Sequence, residues 1–249
     1  MKPLFALVFF QFLFLASGIN AQAGLTTEKI SFYTRDGLKI VGVYKPPKEN
    51  NGEVFVLLHG LGSNKEEWNY FETILAESGY GFLAYDARGH GESSTKKDGT
   101  IIDYKNFGKP TPKSQWGKMI VDLANVVNYL ITEKKISRKN IGLIGASIGA
   151  NISLIYGSSY NHVGTLVLLS PGLEYIGFDT LDYINAYKKG KIAICASPQD
   201  EYSYKSSLIL YKKIMKNKQA LLIEGESGHG VKLFDGEFDN LLMEWMKKQ

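Results

Sequence analysis

The sequence predicts one α/β domain, a mostly parallel and doubly wound sheet entered through an N-terminal β-hairpin. Three observations predict it. Continuous apolar runs such as Val54 to Leu58 and Thr165 to Leu169 suit strands buried on both faces of a parallel sheet. Segments with helical apolar spacing separate those runs. Ahead of them, Lys29 to Thr34 and Leu38 to Tyr44 flank Arg35-Asp36-Gly37, a strong hairpin signal.

The elements follow in order. After the hairpin come a loop through Pro46-Pro47 and Asn50-Asn51-Gly52, the strand 54 to 58, a helix from Lys65 to Ser78 and a strand from Gly81 to Tyr85. Residues 92 to 112 are polar and rich in turn formers, and a loop this long in a compact domain is usually functional or mobile. From Ser114 an amphipathic helix begins, with Trp116, Met119, Ile120, Leu123, Val126, Val127 and Leu130 at spacings that fit core packing. Strands are predicted over 140 to 144, 165 to 169, 191 to 196 and 220 to 223. Helices are predicted from Ile148 to Tyr156, from Tyr204 to Met215 and from Phe234 to Lys247. No internal repeat or low-complexity linker divides the chain, so residues 24 to 249 read as one domain.

Residues 1 to 23 read as a signal peptide. Met1-Lys2 gives a positive start, Leu4 to Ala16 is apolar apart from Gln11, and Ala21-Gln22-Ala23 fits a small-residue cleavage pattern. The apolar core is short of the about 20 residues that span a bilayer. The expectation is therefore an exported protein, periplasmic or secreted, with no stable membrane span after cleavage; retention of the leader as an anchor is the alternative. The single cysteine, Cys195, lies in an apolar run and reads as a small core residue. With 44% apolar and 22% charged residues over 249, the chain is an ordinary globular one. A net charge of +4, without a basic stripe and interleaved aromatics, gives no nucleic-acid partner.

Chemistry concentrates at Gly145-Ala146-Ser147-Ile148-Gly149, a G-x-S-x-G run between a predicted strand and a predicted helix. That context makes a nucleophile elbow, a sharp turn that pushes the serine hydroxyl out of the sheet. A serine needs a base, and the base needs an orienting group. Of four histidines, His229 alone follows the serine at the carboxyl end of a later strand. His59 and His90 lie in glycine-containing turns after earlier strands, and His162 sits in a polar turn. Asp200, after the strand 191 to 196, is the expected acid, with Glu201 and Glu224 as competitors; Asp179 and Asp182 read as solvated or capping residues. Backbone donors for an oxyanion are expected at Ile148, next to the nucleophile, and at Leu61 between Gly60 and Gly62.

Together, His59-Gly60-Leu61-Gly62, Asp86-Ala87-Arg88-Gly89-His90-Gly91, Gly145 to Gly149, Asp200 and His229 resemble the α/β-hydrolase family over nearly all the chain after the leader. The resemblance implies a structural role for 86 to 91, so His90 is not carried over as catalytic. Serine at the elbow separates the chain from members with aspartate or cysteine there. No cofactor and no metal is implied, and Asn151-Ile152-Ser153 reads as a chance glycosylation match within a helix. The connection from Pro171 to Gly190 has room only for a short helix, so a large lid is absent. Trp68, Tyr104, Phe107 and Tyr175 are the candidate substrate-binding residues. The expectation is a serine carboxylesterase acting on a small-molecule ester through an acyl-enzyme. Alternatives are a serine peptidase or lysophospholipase-like enzyme on the same triad, or a non-catalytic binding module; the oligomeric state is not legible.

Overall fold

Side chains alternate across the buried strands, and that alternation sets the layers. Val54, Val56 and Leu58 enter one apolar cluster while Phe55 and Leu57 enter the other, because successive residues of a strand leave opposite faces. The computed structural model describes residues 19–22, 25–50, 52–160, 163–188, 190–215 and 219–248. In chain order its elements are β1 (Ile19–Gln22), β2 (Leu25–Tyr33), β3 (Lys39–Lys45), β4 (Val54–Leu58), α1 (Asn69–Glu77), β5 (Gly81–Tyr85), α2 (Gln115–Thr132), β6 (Ile141–Ala146) and α3 (Ile148–Ser159). There follow β7 (Thr165–Leu169), β8 (Glu174–Tyr175), β9 (Phe178–Asp179), α4 (Leu181–Ile184), β10 (Lys191–Ala196), α5 (Glu201–Ile214), β11 (Ala220–Glu224) and α6 (Glu237–Lys247).

Nine strands share one sheet in the order β1-β2-β3-β5-β4-β6-β7-β10-β11. Pairings among β1, β2, β3 and β5 that involve the first three are antiparallel, and every pairing from β5 onward is parallel. The predicted mostly parallel sheet behind a hairpin is therefore present. Helices cover both faces. Phe71 and Leu75 of α1 and Phe238, Leu242 and Met246 of α6 pack on one side, and α2, α3 and α5 pack on the other. Burying each such large apolar side chain contributes about 1.5–3 kcal/mol.

Two elements differ from the sequence reading. The connection 171 to 190 holds a two-stranded hairpin, β8–β9, as well as the short helix α4. Asn151 secures it, donating from Nδ2 to the Phe178 carbonyl at 2.8 Å and accepting from the Gly172 amide at 3.1 Å. Asn151 is fully buried, so the glycosylation match is indeed without access. The expected leader core, Leu4 to Ala16, and His162 lie outside the described residues. Strand β1 falls inside the segment expected as leader and pairs with β2. Among the described residues no helix is long and apolar enough to cross a membrane, and Cys195 is buried in the core.

Neighbouring strands leave β4 on opposite sides, β5 to one and β6 to the other. A crevice opens at the carboxyl ends of strands where the order reverses in this way. The loop after β4 and the turn after β6 meet there, since Leu58 pairs with Gly145.

Candidate active site

Ser147 joins β6 directly to α3. Its backbone sits at φ 55°, ψ −122°, a region that non-glycine residues adopt only when the surroundings enforce it. The flanking glycines explain the enforcement. A Cβ on Gly145 would lie 2.2 Å from the Gly149 carbonyl oxygen, and one on Gly149 would lie 2.4 Å from the Leu58 carbonyl oxygen. Strand, helix and β4 thus approach closely only because both positions lack side chains.

His229 and Asp200 come together. His229 Nδ1 and Asp200 Oδ2 are 2.5 Å apart, a short hydrogen bond between the loop after β11 and the start of α5. With Nδ1 committed to Asp200, Nε2 is the ring nitrogen left for chemistry. Burial by itself would raise the Asp200 carboxyl, but bonds from Ser203 and His229 bring it below its ordinary range. The competitors do not reach the ring. Glu201 is exposed and pairs with Lys205, and Glu224 accepts from the Tyr204 hydroxyl at 2.8 Å. Asp179 accepts the Leu181 amide at 2.8 Å, a local cap.

The loop carrying His229 is tied down by residues the sequence did not single out. The Gly230 amide donates to Ser170 Oγ at 2.9 Å, and Ser197 Oγ donates to the Glu226 carbonyl at 3.0 Å. Both serines are fully buried at the ends of β7 and β10.

Ser147, His229, Gly60, Leu61, Gly62, Ser63, Glu67, Val231 and Lys232 border one open depression of about 340 Å³. Ile148 is the first residue of α3, so its amide has no partner within the helix. Leu61 is exposed on the loop opposite. Glu67, absent from the sequence reading, accepts the Gly60 amide at 2.9 Å. Burial holds its carboxyl above the ordinary range, against the opposing pull of Ser63, the Gly60 amide and His229.

Behind this loop, His59 is buried between two backbone partners. Its Nδ1 lies 2.7 Å from the Gly60 carbonyl and its Nε2 accepts the Ala87 amide at 2.9 Å. Burial and the neighbouring His90 push it down to about 4, so it stays neutral and structural at ordinary pH. His90 is likewise buried, beneath the stacked ring of Tyr104 at 4.1 Å.

Of the four aromatic candidates, two lie near the site, though neither borders the depression itself. Tyr175, on the β8–β9 hairpin, places its hydroxyl 2.9 Å from Ser203 Oγ. Tyr104 sets its hydroxyl against the loop at Gly62, 3.0 Å from where a Cβ would stand. Trp68 and Phe107 are instead buried in the core, which corrects both expectations. Trp68 is fully buried with Phe71 and Leu75 on the helical face that packs against Phe234 and the sheet. The spacing of Trp68, Phe71 and Leu75 is itself a core stripe. Phe107 packs edge-on against Trp116 at 5.0 Å and crowds Gly89, filling space under the 92 to 112 loop.

Residues 49–195, more than half of the chain, match the family described as serine aminopeptidase, S33 (Hydrolase_4). The chain belongs to this family of α/β hydrolases. The hydrolase is 25% identical over 150 residues to a serine hydrolase-like protein of Dictyostelium discoideum, covering 60% of this chain and 36% of that one. It is 28% identical over 149 residues to protein phosphatase methylesterase 1 of Debaryomyces hansenii, covering 54% and 34%. The match thus spans about a third of either relative's length. A solved Pyrococcus furiosus esterase superposes with a TM-score of 0.70 at 21% identity, over 89% of this chain and 90% of that one. That likeness is one of fold.

Proposed function

We propose that this hydrolase cleaves carboxylic esters of small molecules through an acyl-enzyme on Ser147. The observation that carries the reading is the 2.5 Å Asp200–His229 hydrogen bond beside a serine held in the strained elbow. In the proposed reaction the Ser147 hydroxyl attacks the ester carbonyl while His229 Nε2 takes its proton. Asp200 steadies the imidazolium that forms. The amides of Ile148 and Leu61 receive the negative charge of the tetrahedral oxygen. Collapse breaks the C–O bond, and the imidazolium returns its proton to the leaving alcohol. Water, deprotonated by His229, then attacks the acyl carbonyl; the bond to Ser147 Oγ breaks, the imidazolium returns the proton to that oxygen, and the acid leaves.

The open depression and the short β8–β9 hairpin support acyl groups of modest size rather than a long chain in an enclosed tunnel. The family description favours a second reading, hydrolysis of amino-acid amides on the same residues. One experiment separates them: a panel of p-nitrophenyl esters and amino-acid p-nitroanilides, with fluorophosphonate labelling of wild type and Ser147→Ala. The expected result is labelling of wild type only and faster turnover of short esters than of anilides. Labelling that survives Ser147→Ala removes the assignment, and anilides turned over faster than esters establish the second reading. We also propose export through residues 1–23; N-terminal sequencing of the protein recovered from its native host tests this, and an intact Met1 overturns it.

A further inference from the structure

We propose that Glu67 is a positioning residue of this site, whose carboxylate fixes the Gly60 amide and so aims the Leu61 N–H at the oxyanion. The inference rests on Ser147 being the nucleophile.

The loop after β4 needs such a fixture. Gly60 and Gly62 flank Leu61, and glycine leaves the backbone many accessible directions. An oxyanion donor is useful only when its direction is set before the charge develops. The loop also lies directly against the nucleophile, since a Cβ on Gly60 would stand 3.6 Å from Ser147 Cβ. One peptide from Leu61, the Gly60 amide donates to Glu67 Oε1 at 2.9 Å. Ser63, at the other end of the turn, is among the groups that pull the same carboxyl downward against its burial. The Ser63 amide closes the turn on the Gly60 carbonyl at 3.2 Å. The carboxylate therefore holds the first residue of the Gly60–Ser63 turn, and the turn's own bond carries that constraint past Leu61.

Glu67 is itself held rigidly. It sits in the 3-10 turn Lys65–Trp68. The Lys65 amide donates to Asp86 at 2.8 Å and its ammonium to Asp86 at 3.0 Å, while Trp68 is fully buried. A buried ion pair on one side and a buried indole on the other leave the residue between them little freedom. The titratable side chains bordering the depression with Glu67 are His229 and Lys232. On its own turn, Lys65 faces Asp86 and Glu92, and Glu66 is exposed. A carboxyl held above its usual range by burial takes up its proton at higher pH than a free one, which weakens it as an acceptor for the Gly60 amide.

The test uses the full chain with p-nitrophenyl acetate. Fluorophosphonate labelling of Ser147 in wild type comes first, because failure to label overturns the hydrolase reading itself and not merely the role of Glu67. Then kcat and KM are measured across pH for wild type, Glu67→Gln and Glu67→Ala, with thermal midpoints. For Glu67→Ala, kcat is expected to fall about tenfold to a hundredfold with KM within about threefold, somewhat less than the loss of an oxyanion donor outright. Glu67→Gln keeps an oxygen for the Gly60 amide, so it recovers most of kcat and loses the acid-side inflection due to Glu67. A purely structural residue would lower the thermal midpoint without that rescue or that change in profile. Glu67→Ala within about twofold of wild type, or Glu67→Gln no better than Glu67→Ala, overturns the proposal. Should Glu67→Ala not fold, Glu67→Gln decides through its pH profile: an unchanged acid limb overturns it.

Discussion

The Gly230 amide donates to the Ser170 hydroxyl at 2.9 Å, so the residue after His229 is moored to the end of β7. Ser170 is fully buried and adopts φ 52°, a conformation that the surroundings must enforce. Removing its hydroxyl leaves the Gly230 amide buried and unpaired, at a cost of about 1–3 kcal/mol. Ser170→Ala is expected to lower the unfolding free energy by that amount and to reduce kcat more than it changes KM. Chemical denaturation and steady-state kinetics check both, and an unchanged kcat would show that the mooring does not set the imidazole.

Ser203 offers a pH test. Its hydroxyl lies 3.4 Å from His229 Nδ1, and Ser203 and His229 together offset the burial that would otherwise raise the Asp200 carboxyl. The net shift is downward, so the ionised state and its hydrogen bond persist into acid and are lost only as pH falls through the folded value. Ser203→Ala removes the hydroxyl's share. The carboxyl then moves up, and the acid-side loss of activity is expected to begin at higher pH than in wild type. A pH–rate profile of kcat/KM measures the displacement; superposable acid limbs would disprove it.

The catalytic candidates were legible because each occupies a position that chain order and strand ends define. Ser147 follows β6, Asp200 follows β10 and His229 follows β11, and an apolar run before each marks its strand. The aromatic residues carry no such marker. Trp68 looks like a pocket wall by residue type, yet its spacing with Phe71 and Leu75 already reads as a packed face, and the structure buries it. Glu67, Ser170 and Ser197 were invisible for a different reason. Their roles lie in hydrogen bonds to the Gly60, Gly230 and Glu226 backbones, which no side-chain pattern announces. The β8–β9 hairpin was missed because a strand of two residues has no period to detect.

Arg88 anchors the turn beside the site. Nε and Nη2 bond both oxygens of Asp122 at 2.6 and 2.7 Å, and Nη1 reaches Asp36 at 3.0 Å. Arg88 and Asp122 are each about 1% exposed. Replacing Arg88 with methionine keeps much of the volume and strands the Asp122 charge. A loss of about 3–5 kcal/mol is expected from breaking a buried pair on one side only. The double variant Arg88→Met, Asp122→Leu should recover part of it, because no unpaired charge remains. Denaturation of the three proteins tests this, and equal instability of single and double variants would count against the charge argument.

Glu72 gives the opposite pH sign from Asp200. It lies on α1 at 1% exposure, Oε1 has no partner, and burial pushes its carboxyl from 4.5 to about 7 against the pull of Lys65. The unfolded chain then releases this proton near the ordinary carboxyl value while the folded chain keeps it to about 7. Stability is therefore undiminished below the unfolded value and falls as pH rises between the two, by up to about 3 kcal/mol at 1.36 kcal/mol per unit. Glu72→Gln cannot ionise, so its stability should lack this decline and exceed its own share of the wild-type value most clearly above pH 7. Urea denaturation at a series of pH values compares the two slopes. Parallel slopes would place the pH dependence of folding elsewhere, while convergence on the acid side and divergence above would assign it to this one buried acid.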